Sequence, residues 1–172
     1  EKKPDFECDT PYALTYFLGN ESNKYRMYIN KIAKEKGLRV INLFDIRDRV
    51  VVITGGTGVL GREIGKYLAL EGAKVALLGR RKEVGDALIT DILSLGGEAV
   101  FYSCDVMDMA SVESVCEKIM ARYGRVDALL NAAGGNMPGA TITPTGTLFD
   151  VQVEEFQKVL NVNLTGTVIP TQ

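Results

Sequence analysis

The sequence predicts an α/β fold, a three-layer doubly wound parallel sheet, behind a separate N-terminal helical arm. Three observations carry this expectation. Short apolar runs alternate with amphipathic helix patterns four times between Asn42 and Gln172, and such alternation implies parallel strands, right-handed crossovers and helices on both faces. The turn between the first run and the first helix, Thr54-Gly55-Gly56-Thr57-Gly58-Val59-Leu60-Gly61, is rich in glycine. Residues 1–38 carry no such pattern and instead crowd Phe6, Tyr12, Tyr16, Phe17, Tyr25 and Tyr28.

Within the arm, Asn20 or Ser22 caps a predicted helix with Tyr25, Tyr28, Ile29 and Ile32 on one face, ending at Gly37. Residues 39–172 form the main domain. Its first βαβ unit comprises strand Val50–Ile53, a helix with the apolar stripe Leu60, Ile64, Tyr67 and Leu68, and strand Val75–Leu78. Gly61 and Gly65 let that helix approach the sheet, and Gly72 stops it. A second helix spans Lys82–Leu95 with Val84, Leu88, Ile92 and Leu95 inward, before Gly96-Gly97 and strand Ala99–Tyr102. Asp108 caps a third helix, with Val112, Val115, Cys116, Ile119, Met120 and Tyr123 in its stripe and Gly124 at its end. Cys116 therefore reads as core. Strand Val126–Leu130 follows, then a Gly-, Pro- and Thr-rich loop over Asn136–Thr147, and a last helix from Val153 with Phe156, Val159, Leu160, Asn163 and Leu164 on one face. The expected strand order is 3-2-1-4.

Composition narrows the chemistry. The chain has 172 residues, 46% hydrophobic and 24% charged, with a formal charge of −2 and a pI near 5.3. No clustered basic excess exists for a nucleic-acid surface. The absence of histidine excludes His-based metal ligation, triads and acid/base catalysis. Cys8, Cys104 and Cys116 are too few and too widely spaced for a disulfide framework or a zinc site, so a reducing cytoplasm is expected. No apolar run approaches membrane-spanning length, and Glu1-Lys2-Lys3-Pro4-Asp5 is neither a signal peptide nor an initiator start, so the chain is expected to be cut at its front.

The glycine turn follows a strand and opens a helix, the context in which backbone N–H groups and a helix dipole cradle a dinucleotide pyrophosphate. Gly61 is followed by Arg62-Glu63 rather than lysine, which excludes a P-loop. After the second strand, Leu78-Gly79-Arg80-Arg81 offers arginines and no carboxylate, favouring NADP over NAD. Asp105, after the third strand, either caps backbone N–H groups or accepts from an adenine amino group. Asn131 can bridge main chains held apart for a ligand, and Asn163 sits on an apolar stripe where an unpaired amide costs about 1–3 kcal/mol, so it requires a partner.

In these residues the chain resembles the short-chain dehydrogenase/reductase family, over roughly Leu43–Gln172. The motifs are Thr54 to Gly61, Asp105-Val106, Asn131-Ala132-Ala133-Gly134 and Val162-Asn163-Leu164-Thr165-Gly166. Leu43-Phe44-Asp45, the glycine motif and Asn131 to Ala140 are similar to the bacterial D-mannonate oxidoreductase (fructuronate reductase) branch. The resemblance implies a Rossmann domain, incomplete at its C-terminus, and NAD(P)-dependent hydride transfer on a hydroxyl or carbonyl of a sugar acid such as mannonate or fructuronate. The expected partner is a small-molecule substrate; a homo-oligomer is expected because the last apolar helix is left partly uncovered, and charge and hydropathy give no membrane or nucleic-acid partner. Gly55, Thr57, Gly58, Leu60 and Gly61 would surround the pyrophosphate, Arg80 the adenosine ribose, Asp105 and Val106 the adenine, and Asn131, Ala132, Ala133 and Gly134 the nicotinamide-side ribose. Asn163 matches the family's catalytic asparagine, which holds a water linking the active-site lysine to solvent. Val59 stands where the commonest family motif has glycine. None of the seven tyrosines begins a Tyr-x-x-x-Lys, so this is expected to be the front part of a longer enzyme; the alternative is a dinucleotide-binding or assembly module without turnover.

Overall fold

The computed structural model describes residues 12–14, 31, 35–36, 39–41 and 45–172. The chain divides into two compact units, Glu1–Asp45 and Ile46–Gln172. In the first, β1 (Tyr12–Leu14) and β2 (Arg39–Ile41) pair in parallel, Tyr12 opposite Arg39 and Leu14 opposite Ile41. No strand pattern was expected ahead of residue 39, because a three-residue strand is too short to display alternation. The expected helix through Tyr25, Tyr28, Ile29 and Ile32 lies outside the described residues.

The second unit runs β3 (Val50–Thr54), α1 (Val59–Leu70), β4 (Lys74–Gly79), α2 (Lys82–Ser94), β5 (Glu98–Ser103), α3 (Met109–Tyr123) and β6 (Ala128–Asn131). Two single 3₁₀ turns, Pro138–Ala140 and Leu148–Asp150, precede α4 (Val153–Leu160), a π-helical turn (Asn161–Thr165) and α5 (Gly166–Thr171). The sheet is parallel with order β5-β4-β3-β6, as expected. Alternation along β3 explains the two-faced core. Val51 and Ile53 join Val75, Leu77, Ala69, Leu88 and Ile92 on one face, whereas Val50 and Val52 join Ala76, Leu78, Val115 and Ile119 on the other. Strands covered on both faces are apolar throughout, which is why β3 and β4 show no polar alternation.

Helix orientations depart from the simple apolar-stripe reading. In α1 the buried residues are Gly61, Gly65 and Ala69, while Leu60 and Tyr67 are 72% and 57% exposed and Ile64 is also exposed. Size decides this. A Cβ on Gly65 would lie 2.6 Å from Leu77 Cδ2, and one on Gly61 only 2.5 Å from the Gly55 carbonyl oxygen, so a bulky side chain on that face would lift the helix off the sheet. Helix α2 buries Leu88 and Ile92 as expected, but Gly85 replaces Val84 at the contact, pressed on the Phe101 ring, and Leu95 lies exposed beyond the helix. In α3 Val115 and Ile119 are buried, with Val112 and Tyr123 packed beside them. Cys116 and Met120, about 100° further round the helix, are exposed rather than in the core. In the last helix Phe156, Leu160 and Leu164 are exposed and Val159 is half-buried; the π-helical turn begins only at Asn161 and takes Leu164 off the straight stripe.

Helix ends carry the expected local signals. Asp108 Oδ1 accepts from the Ala110 N–H at 3.1 Å, and Gly72, Gly96 and Gly124 take positive φ after their helices. The carboxylate of Asp127, only 13% exposed, accepts from the Val50 N–H at 2.9 Å and from Arg49 and Arg125, tying the approach to β6 to the start of β3.

Gly85→Ala forces a Cβ to about contact-violating distance from the Phe101 ring, 2.4 Å in the unrelaxed structure. It is expected to cost about 1–3 kcal/mol in urea unfolding, whereas Leu95→Ser at the exposed site stays within about 0.5 kcal/mol; the reverse ranking would refute the orientation of α2. The Val50 N–H bond, with help from Arg125 and Arg49, holds the Asp127 carboxyl below its ordinary 3.8. Its contribution to stability is therefore complete above that value and is lost as pH falls through the lower folded-state value. Asp127→Asn should flatten the acid limb of a stability-versus-pH curve, and an unchanged limb would exclude the linkage.

Candidate active site: a cofactor cleft

The carboxyl ends of the four strands open into one cleft of about 810 Å³. Gly55, Thr57 and Gly58 enter it after β3, Gly79, Arg80 and Arg81 after β4, and Cys104 to Met107 after β5. Ala132 to Met137 enter after β6, with Lys158, Asn161 and Val162 beyond. The chain proceeds from β3 outward to β5 and then returns to place β6 on the other side of β3. Ligand crevices form at such a reversal, where successive loops diverge.

Thr54, fully buried, anchors the crevice: its Oγ1 accepts from the N–H groups of both Ala132 and Ala133, each at 3.1 Å. Gly55 then turns with φ +65°, and a Cβ there would stand 2.5 Å from the Ala132 carbonyl oxygen. Both backbone sign and closeness demand glycine. The Gly56 N–H donates to the Leu78 carbonyl and the Gly58 N–H to the Gly55 carbonyl, both at 2.8 Å. Gly58 caps α1 with extended backbone and no side-chain cap, leaving the first-turn N–H groups without a side-chain partner at the positive end of the helix dipole. Val59 is the first residue of α1 and 82% exposed, so a side chain is accommodated there.

Around this loop, Arg80 is exposed, with no ion-pair partner among the described residues, whereas Arg81 Nη2 donates to the Thr57 carbonyl at 2.7 Å. Asp105 does cap backbone: its Oδ1 accepts from the Met107 N–H at 3.0 Å, and its own N–H donates to Ser111 Oγ at 3.2 Å. Burial pushes the neighbouring Cys104 thiol up from its ordinary value. Asn163 has found its partners. Its Nδ2 donates to the Gly135 and Val159 carbonyls at 2.8 Å each, and its Oδ1 accepts from the Gly135 N–H at 3.3 Å. The main-chain bridge expected of Asn131 belongs to Thr54 instead; Asn131 Nδ2 donates to Thr171 Oγ1 at 3.0 Å, and its buried Oδ1 has no hydrogen-bond partner among the described residues.

Gly55, Thr57, Gly58, Arg80, Asp105, Val106, Ala132, Ala133 and Gly134 thus converge on the cleft, while Leu60, Gly61, Asn131 and Asn163 are not among its lining residues. Lys158 and Asn161 were not singled out from the sequence, although their i, i+3 spacing marks a polar helix face. Lys158 pairs with Glu155 at 2.6 Å. Among the described residues no three His, Cys, Asp or Glu side chains group to hold a metal.

Residues 49–172 match the short chain dehydrogenase family. The chain belongs to it. An uncharacterised oxidoreductase, UxuB, of Bacillus subtilis (strain 168) is 38% identical over 137 residues, 74% of this chain and 49% of that protein. Among solved structures, a provisionally assigned D-mannonate oxidoreductase from Haemophilus influenza with bound NAD superimposes with TM-score 0.68 at 32% identity, covering 74% of this chain and 49% of that one. The F189W actinorhodin polyketide ketoreductase with NADPH gives TM-score 0.64 at 30% identity, covering 72% and 45%. The chain spans about half the length of the curated relatives it matches.

Thr54→Val keeps the shape but removes the acceptor shared by two amides. It is expected to lower stability by about 1–3 kcal/mol in urea unfolding, with Thr54→Ser retaining most of it. Equal losses for the two variants would remove the role assigned to the hydroxyl.

Proposed function

We propose that this chain forms the cofactor-holding part of an NAD(P)-dependent oxidoreductase that transfers hydride between nicotinamide and a hydroxyl or carbonyl of a sugar acid such as mannonate or fructuronate. The observation that carries the reading is the glycine loop. Gly55, Thr57 and Gly58 line the cleft, and α1 begins beside it at Gly58 with no side-chain cap; the unpaired first-turn N–H groups of such a helix start would suit a pyrophosphate. Family membership and the NAD and NADPH bound by similar structures support it.

Gly55, Thr57, Gly58, Leu60 and Gly61 would hold the pyrophosphate, the last two through first-turn backbone N–H groups rather than by lining the cleft. Arg80 would meet the adenosine ribose and favour its 2′-phosphate, since Leu78-Gly79-Arg80-Arg81 at the end of β4 holds no carboxylate. Asp105 Oδ1 is engaged by Met107, and its other carboxylate oxygen would face the adenine with Val106. Ala132, Ala133 and Gly134 would line the ribose on the nicotinamide side, with Asn131 behind them. Asn163 fixes Gly135 and so orients that wall. The cofactor supplies a two-electron hydride carrier. Proton transfer is assigned to a serine and a Tyr-x-x-x-Lys of the complete enzyme; no tyrosine here is followed by lysine at that spacing.

The sugar-acid assignment rests on the similarity to the Haemophilus structure and on the Asn131–Ala140 segment. A homo-oligomer and a cytoplasmic setting complete the proposal. Exposed Val153, Phe156, Leu160 and Leu164 support association, and free Cys104 and Cys116 support a reducing environment. No helix among the described residues is long and apolar enough to cross a membrane.

Titration of NADH or NADPH fluorescence is expected to show saturable binding, tighter for NADPH. Gly58→Asp should weaken it at least about tenfold. Gly58 has φ −77° and aspartate is a favourable N-cap, so the variant should fold; its Cβ, 3.1 Å from the Gly55 carbonyl oxygen, and its carboxylate both act against phosphate binding. Unchanged binding would refute the cradle. Turnover of mannonate or fructuronate by the full-length protein tests the substrate, and activity confined to other alcohols would overturn it.

A further inference from the structure

Arg80 and Arg81 are adjacent in sequence and both border the cleft, but they are not equivalent. Arg81 Nη2 donates to the Thr57 carbonyl at 2.7 Å in a part-buried bond reaching back across 24 residues. Two further contacts fasten the same stretch of loop to the same strand end. The Gly56 N–H donates to the Leu78 carbonyl at 2.8 Å, and the buried Thr57 side chain lies against Gly79, where a Cβ would come 3.0 Å from its Oγ1. Arg80 makes no ion pair among the described residues and stands exposed beside the cleft.

A guanidinium bound to a backbone carbonyl is oriented by it, because its donors lie in one rigid plane. The Thr57 carbonyl belongs to the loop that would hold the pyrophosphate, a part common to NAD and NADP. We propose that Arg81 is a positioning residue that latches the glycine loop to the end of β4, a role separate from the one already given to Arg80. This rests on the cofactor site proposed above. In that site Arg81 acts through Thr57, so its loss loosens the cradle for either cofactor, whereas loss of Arg80 is felt only where a 2′-phosphate is present.

The test measures dissociation constants of NADH and NADPH for the full-length protein and for Arg81→Ala, Arg81→Lys and Arg80→Ala, together with amide hydrogen exchange of residues 55–58 in the cofactor-free protein. Arg81→Ala is expected to weaken both cofactors about tenfold, with their ratio held within about twofold. Its loop amides should exchange faster than those of the parent. Arg81→Lys, which keeps a charged donor, should recover part of both effects and serves if the alanine variant does not fold. Arg80→Ala should weaken NADPH alone and leave loop exchange unchanged. An NADPH-selective loss in Arg81→Ala, or unchanged loop exchange, overturns the latch. Failure of the parent protein to bind either cofactor would instead refute the proposed function, while loop exchange would still report on the Arg81 contact.

Discussion

The fold depends on holding the carboxyl ends of β3 and β6 at one fixed separation. These strands lie on either side of the point where chain direction across the sheet reverses, so their loops diverge and a crevice opens. Regular strand pairing ends at Thr54 and Asn131. Beyond it the Thr54 hydroxyl accepts from two successive amides of the opposite loop, and Gly55 turns against Ala132 with no room for a side chain. One hydroxyl and one missing Cβ thereby set both the width of the crevice and the direction of the glycine loop.

Small residues carry the same requirement outward. Gly61 and Gly65 bring α1 onto the sheet, and Gly85 brings α2 onto Phe101. The larger apolar side chains of α1 are displaced to its outer side. On the β6 side, the π-helical turn directs Asn163 into the backbone of Gly135, so the wall after β6 is braced from behind by an amide whose hydrogen-bonding groups are engaged. Thr54 and Asn163 thus hold the loop after β6, and Arg81 the loop after β3, all through backbone groups.

Much of this was legible in the sequence wherever the cause is local. Strand and helix order, the Asp108 cap, the glycine stops and the sheet order follow from periodicity, capping chemistry and handed crossovers. The glycine loop was legible because a tight strand-to-helix turn restricts residue type directly. Side-chain direction was less so. Leu60, Tyr67, Leu95, Cys116 and Leu164 fit an apolar stripe by spacing and are exposed, because a stripe specifies residues that can be buried and not what lies opposite them.

The sequence by itself determined the α/β class, the order of elements and the place of the cleft, since each follows from short-range stereochemistry repeated along the chain. Only the tertiary structure decided that Thr54 rather than Asn131 bridges the strand ends, that Arg81 binds the loop while Arg80 stands exposed beside the cleft, and that Asn163 reaches Gly135. Those contacts join residues 24 to 79 positions apart. Their partners are backbone amides and carbonyls, which every residue carries and which no pattern of side chains distinguishes.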